Sequence, residues 1–409
     1  MSALRTFLAD GLREVTRGSV AYHLWMALLT LVMLCGAYAY SVQLRDGLAV
    51  TGMHDHMSWG LYISSFTFLV GVAAAAVILV MPTYVLDDHD FKSAVLFGEG
   101  IAVAALVTAI GFVTVDVGGP ARMWHLVPGL GLLNWPRSML AWDIIVLQGY
   151  LALNLLVPFY ILFSHYRDRE PNRRLYVPAM FLSILWAVSL HLVTAFLYAG
   201  LPARPYWHSA LLGPRFLATA FAAGPALMII ILAVIRRHTA YAIAQATLQK
   251  LALVVTVAAQ VSLVILVSEL FTEFYRHTHH AASARYLFFG LDGHRELVPW
   301  IWTSVGLTVL ATALLSVHRL RRLPPVLYLA CAMLFVGVLI DKGIGTIIPG
   351  FVPEPWGRIP TYSPTWVELT VSAGLWALGA FIFTVLAKAA IPIELGQSRL
   401  RPQSGSPRA

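Results

Sequence analysis

The stretch TVDVGGPARMWH, from Thr114 to His125, places a carboxylate (Asp116), a guanidinium (Arg122) and an imidazole (His125) in one short segment. Gly118, Gly119 and Pro120 lie between them, and such a run turns a chain sharply. The turn is expected to bring Asp116, Arg122 and His125 towards the same cavity. A carboxylate and an imidazole held together are proton-exchanging groups once their surroundings tune them.

Further ionisable residues recur at similar depth. Asp143 lies about one turn into the next apolar run, and GMHDHMSWG carries His54, His56 and Trp59. VSELFTEF sets Glu269 and Glu273 at i and i+4, on one helix face. Glu368 opens the last apolar run. Three sites lie elsewhere: Glu99 near the start of the third apolar run, His191 deep in the fifth, and the pair Asp341–Lys342 in LIDKGIG of the ninth. Ionisable side chains inside a membrane span are costly and mark proton or ion pathways. Bland readings stand beside these. Asp116 can simply cap a loop, Glu368 can sit among lipid headgroups, and His191 can be a hydrogen-bonded structural histidine. Asp341 and Lys342 are neighbours, and adjacent helical residues do not face each other. Separate partners on other helices are therefore expected. His54 and His56 form an H-x-H pair, but no third metal ligand accompanies them in sequence, so no metal site is assigned.

The elements that must position these groups follow from composition. The chain has 409 residues, of which 59% are hydrophobic and only 12% charged. A soluble chain carries about 25% charged residues. Apolar runs of about 20 residues recur, which is the length of a helix crossing a bilayer. The fold expected is all-α and polytopic, since backbone groups in lipid must bond internally. Ten spans are predicted, over residues 20–40, 59–84, 94–115, 139–163, 176–199, 216–235, 251–271, 298–317, 325–348 and 367–391. Residues 1–391 then form one integral membrane domain, and 392–409 a polar tail expected to be disordered. The first run is too long for the core of a signal peptide.

Lysine and arginine are about twice as frequent on the N-terminal side of the spans as opposite. Positive residues stay in the cytoplasm, so both termini are expected there and the TVDVGG loop outside. The formal charge of +8 reflects this asymmetry and calls for no nucleic-acid partner. The two cysteines, Cys35 and Cys331, lie inside predicted spans, so nothing could ligate an iron–sulfur cluster. Paired haem ligands are also missing from the pattern. His191 is mid-span, His23 lies at a span end, and His277, His279 and His280 sit in a loop.

Three segments resemble the NrfD/polysulfide-reductase membrane-subunit family. They are GMHDHMSWGLYISSFTFLVGVAAAAV, FVTVDVGGPARMWHLVPG with NWPRSMLAWD, and AVSLHLVTAFLYAGLPARPYWHSALLGPRF. Ten spans resemble its long, HybB/DsrP-like branch, with the DsrP-like members nearest. The resemblance implies two four-helix bundles plus two extra helices. It implies a haem-free, quinone-reactive subunit of a respiratory complex linked to sulfur metabolism, in a bacterial inner membrane. Its implied partners are a periplasmic ferredoxin-like iron–sulfur subunit, a multihaem cytochrome c and a second membrane–cytoplasmic module. On that reading His54 or His125, with Asp116 and Asp143, binds the ring oxygens of menaquinol or ubiquinol and takes protons. Arg122, Trp124, Trp59 and His56 shape the head-group pocket. His191, Glu269, Glu273, Asp341, Lys342 and Glu99 form candidate proton-path residues. A secondary transporter and a passive anchor are the rival classes. A transporter would show broken helices in corresponding positions of two halves.

Overall fold

The computed structural model describes residues 2–73, 75–84, 91–127, 129–275, 281–354 and 357–399. His277, His279 and His280 fall outside them, as do residues 400–409 of the tail. Among the described residues there is no strand, and ten helices are long and apolar enough to cross a membrane.

The chain opens with α1 (Ser2–Thr16), an amphipathic helix that precedes the first span. The spans are α2 (Val20–Asp46), α3 and α4 (Leu61–Ala73 and Ala75–Tyr84), α5 (Lys92–Asp116), α6 (Met139–Tyr166) and α7 (Arg173–Ala199). Then come α8 (Leu212–His238), α9 (Gln245–Tyr275), a short α10 (Ala281–Phe288), α11 (Val298–Ser316), a one-turn α12 (His318–Arg321) and α13 (Pro324–Lys342). A one-turn α14 (Ile344–Ile347) follows, and α15 (Trp366–Glu394) closes the series. Several helices outrun the apolar runs that forecast them, because capping and pairing let polar residues join the last turns. α15, for example, starts on a capping box in which Thr365 and Glu368 bond reciprocally.

α3/α4, α5, α6 and α7 pack as one four-helix bundle, and α8, α9, α11 and α13 as a second. α8 joins the two by packing on α3, α4 and α7. α2 belongs to neither bundle and packs chiefly on α15, which in turn rests on α5. This is the arrangement the family resemblance implied.

Small residues set the α2–α15 crossing. A Cβ on Gly36 would stand 2.7 Å from the Gly374 Cα, and one on Gly374 would stand 2.8 Å from the Gly36 Cα. Backbone, unlike a side chain, cannot swing away, so this close approach requires glycine on both helices. Gly36→Leu is expected to cost at least the 1–3 kcal/mol (roughly) of an overpacked core. It should lower the denaturation temperature in detergent, whereas Gly306→Leu, which enters open space, should not.

The ninth span is broken. α13 ends at Lys342, and Gly343 turns away with ψ of −104°. A Cβ there would lie 2.5 Å from the Leu339 carbonyl oxygen. Carbonyls released by the break find donors: Tyr206 Oη bonds Gly345 O at 3.1 Å, and Trp207 Nε1 bonds Thr346 O at 2.8 Å. Irregular backbone at membrane depth persists only when protein satisfies it in this way.

Candidate functional site

α1 and the C-terminal end of α15 lie on one face of the molecule, so the loops bearing most of the candidate residues share the opposite face. The candidates there separate into distinct groups. The first surrounds Asp143. This residue sits in the second turn of α6, whose N-cap is Ser138. Its carboxylate is buried and accepts a 2.6 Å hydrogen bond from Thr194 Oγ1 of α7. It also lines a cavity of about 340 Å³ with Val113, Trp124, Leu140, Leu147 and Gln148. An acid in an apolar cleft, held by one hydroxyl, is a group able to take and release a proton.

The turn at Gly118–Pro120 does form, with Gly118 at φ 70° and a 3-10 helix from Pro120 to Leu126. It does not gather Asp116, Arg122 and His125 into one cavity, as the sequence suggested. The 3-10 spacing points Trp124 at the cavity and leaves Arg122 on the surface. The His125 ring stacks on Trp124 with centroids 3.7 Å apart, outside the lining.

Asp116 turns instead towards a second group, and its Oδ1 is buried without a hydrogen-bond partner. Its neighbours are Tyr62 and Glu368. Tyr62 Oη donates to Gln43 Oε1 at 2.8 Å, and Gln43 Nε2 donates to Val115 O at 2.6 Å. Glu368 does not sit among headgroups. It is fully buried and accepts from Gly52 N at 2.6 Å, Tyr362 Oη at 2.8 Å and Thr365 N at 3.2 Å. It therefore fastens the 51–60 loop to the start of α15. Burial, reinforced by Glu368, pushes the Tyr362 phenol above its ordinary value, which keeps it a donor.

His54 and His56 lie on the exposed rim, away from either carboxylate group. His54 Nε2 faces Thr361 O at 3.2 Å, and His56 Nδ1 meets Glu354 Oε1 at 2.5 Å. Among the described residues no three His, Cys, Asp or Glu side chains come together to hold a metal ion. Trp59 lies between the bundles, with ring centroids 5.7 Å from Tyr198, 5.6 Å from Trp207 and 5.9 Å from Phe351.

The third group is in the second bundle, and sequence reasoning missed its centre. Arg215 falls just before the span read at 216–235, but α8 begins at Leu212 and carries it inside. Its guanidinium bridges Glu269 Oε2 of α9 at 2.5 Å and Asp341 Oδ1 of α13 at 2.6 Å. The fork geometry explains why arginine suits two carboxylates at once. Glu273 follows one turn along, with Oε2 buried and unpartnered. Lys342 takes a separate partner, as its position next to Asp341 requires. Its Nζ donates to Phe216 O at 3.1 Å and lies 4.6 Å from the centroid of that ring. Lys342 acts electrostatically on His191 of α7, whose Nδ1 donates to Ala187 O at 2.8 Å and whose buried Nε2 has no partner. Glu99 stands apart, buried in α5 near Tyr150.

The signal for Arg215 lay in LLGPRF, a lone arginine against an apolar run, opposite the acids of VSELFTEF and LIDKGIG. Thr194 and Tyr198 carried no such signal. Tyr198 Oη lies 2.5 Å from Thr67 Oγ1.

Ten spans, no strand among the described residues, and ionisable groups enclosed between helices define a multi-pass α-helical membrane protein. The NrfD polysulphide reductase family matches residues 49–351, and the chain belongs to that family. Three relatives illustrate it. A Halobacterium salinarum protein, assigned by name only as a membrane subunit of dimethyl sulfoxide reductase, is 25% identical over 88% of both chains. The integral membrane subunit of a menaquinone reductase from Nitratidesulfovibrio vulgaris is 22% identical over 89% of this chain and 90% of its own. The integral membrane subunit of an Hdr-like menaquinol oxidoreductase from Archaeoglobus fulgidus is 24% identical over 54% of this chain and 53% of its own.

Proposed function

We propose that this chain is the quinone-reactive membrane subunit of a respiratory redox complex, and that the quinol ring is handled in the cleft beside Asp143. The observation that carries the reading is this buried carboxylate on the wall of a 340 Å³ cavity walled by Trp124. The volume lies in the range of small-molecule sites, which are mostly apolar with a few placed polar groups. Two relatives named for menaquinone or menaquinol support the substrate class. Menaquinol oxidation supplies two electrons and two protons. In this chain Asp143 hydrogen-bonds a ring oxygen and accepts the two protons in turn, passing each to water at the loop-rich face, while Thr194 fixes the carboxylate and Trp124 walls the cleft. His54, His56 and Trp59 hold the neighbouring loops, and Asp116 is a reserve proton acceptor.

Electrons are left to a partner, in this reading a ferredoxin-like iron–sulfur subunit on the loop-rich face, with a cytochrome c and a membrane–cytoplasmic module beyond it. Leu130, Leu132 and Trp135 stand exposed on that face, in the same loop as Trp124, and offer it an apolar foothold. The proposal places the loop-rich face in the periplasm, both termini in the cytoplasm, and the complex in sulfur metabolism. Arg215, Glu269, Glu273, Asp341, Lys342 and His191 then form a second polar track through the bundles, and Glu99 is a separate proton-path candidate in α5.

Titration with a fluorescent quinol analogue tests the site. Saturable binding by the wild type, lost in Trp124→Ala and kept in Asp116→Asn, is expected. Binding lost in Asp116→Asn but kept in Trp124→Ala would move the ring to the Tyr62–Glu368 group. No saturable binding by the chain within its assembled complex would end the quinone reading.

A further inference from the structure

We infer that α1 and the cavity beneath it bind one anionic phospholipid, its acyl chain in the cavity and its phosphate at the arginines of α1. The cavity has a volume of about 360 Å³. Leu8 and Leu12 of α1, Phe97 and Gly100 of α5, Phe159 of α6 and Phe383 of α15 line it. The one polar side chain in the lining, Asn154, spends its Nδ2 on its own helix, at Tyr150 O. A pocket with so little polar character takes a hydrocarbon chain and offers almost nothing to a ring bearing oxygens.

α1 has three faces, and each has a different solvent. One packs on α6: Phe7 stands edge-on to Phe159, Phe163 and Tyr166 at 5.5, 5.4 and 5.2 Å, and Tyr166 Oη donates to Asp10 Oδ2 at 2.7 Å. The second presents Leu4, Leu8 and Leu12, which are 41, 55 and 66% exposed and spaced i, i+4, i+8. The third carries Arg5 and Arg13, with Arg17 just past the end of the helix, all exposed. Exposed leucines on one side and arginines on the other are what a helix lying in the plane of the membrane interface requires. Asp10 and Glu14 are drawn to Arg13 and Arg17 at 3.4 and 3.7 Å, on the protein side of those side chains. The leucine stripe leads from the lipid into the cavity, and Arg5 lies at its polar edge. A chain entering there brings its headgroup to the arginines, which selects a negative charge. This inference is independent of the quinone cleft, which lies towards the other face.

The test is native mass spectrometry of the full chain, released from mild detergent after equilibration with equal amounts of phosphatidylglycerol and phosphatidylcholine of the same acyl composition. One retained phosphatidylglycerol per chain is expected. Arg5→Gln with Arg13→Gln should lower the preference for it by about tenfold. Gly100→Leu should remove the adduct by filling the cavity. A Cβ at Gly100 meets Phe383 at 3.6 Å, an ordinary contact, so this variant should fold. Leu12→Trp fills the cavity from the other wall and serves if it does not. Equal retention of both lipids, an adduct that survives both filling variants, or a retained quinone in place of phospholipid would each overturn the inference.

Discussion

Arg215→Met should leave the purified protein markedly less stable, by about 3–5 kcal/mol, the usual result of removing one partner from a buried ion pair. The reason is the company Arg215 keeps. Its side chain is 6% exposed, and those of Glu269 and Asp341 are 10 and 14% exposed. Without the guanidinium, two carboxylates from different helices face each other in a low-dielectric interior. Arg215→Lys should recover only part of the loss, because one ammonium cannot bridge two carboxylates as a planar fork does. The triple variant Arg215→Met, Glu269→Gln, Asp341→Asn removes all three charges and should regain most of the stability. Thermal denaturation in detergent reads all three. A single Arg215→Met within about 0.5 kcal/mol of the wild type, like an ordinary surface change, would mean that the triad is not what holds α8, α9 and α13 together.

Asp143→Asn should cut quinol oxidation by the assembled complex about 10²–10⁴-fold, the contribution of a positioned acid–base group. Asparagine keeps the shape and a hydrogen bond to Thr194 but cannot take a proton. Analogue binding should therefore fall far less than turnover, a split that mere structural damage would not produce. Asp143→Glu should restore a part of the rate. Thr194→Val removes one hydrogen bond to a charged group, worth about 1.5–3 kcal/mol, and should slow the reaction by roughly ten- to a hundredfold. Asp116→Asn, on a carboxylate outside the cleft, should slow it least. Unchanged turnover in Asp143→Asn would transfer the proton role to another group.

Ten spans were legible because bilayer thickness imposes a length on every apolar run, and no other constraint on this chain is as strong. The pairing of Asp341 and Lys342 with different partners was legible too, since 100° per residue forbids neighbours from meeting. Position along each helix was legible in the sequence, whereas direction was not. Asp116, Asp143 and Glu368 do share the loop-rich face, yet they point to different places. What decides this is the rotation of α5, α6 and α15 about their own axes, set by contacts such as Gly111 against Leu375 and Gly149 against Trp186. Arg215 was hidden for a related reason. Hydropathy treats an arginine as a span boundary, and only the two acids waiting on α9 and α13 bring it inside. α1 is invisible to hydropathy because an interfacial helix shows periodicity rather than an apolar run.

The close crossing of Gly36 and Gly374 also bears on how the protein is made. Among the ten spans described, α2 emerges from the ribosome first, and its principal partner, α15, emerges last. Both four-helix bundles can therefore close while α2 still has lipid on nearly every side. The clasp forms only when the most distant segment arrives, so synthesis halted before α15 leaves an intact-looking pair of bundles with a stray helix and an open glycine groove. Membrane quality control that senses unassembled small-residue faces would find in that groove a direct readout of whether α15 had been made.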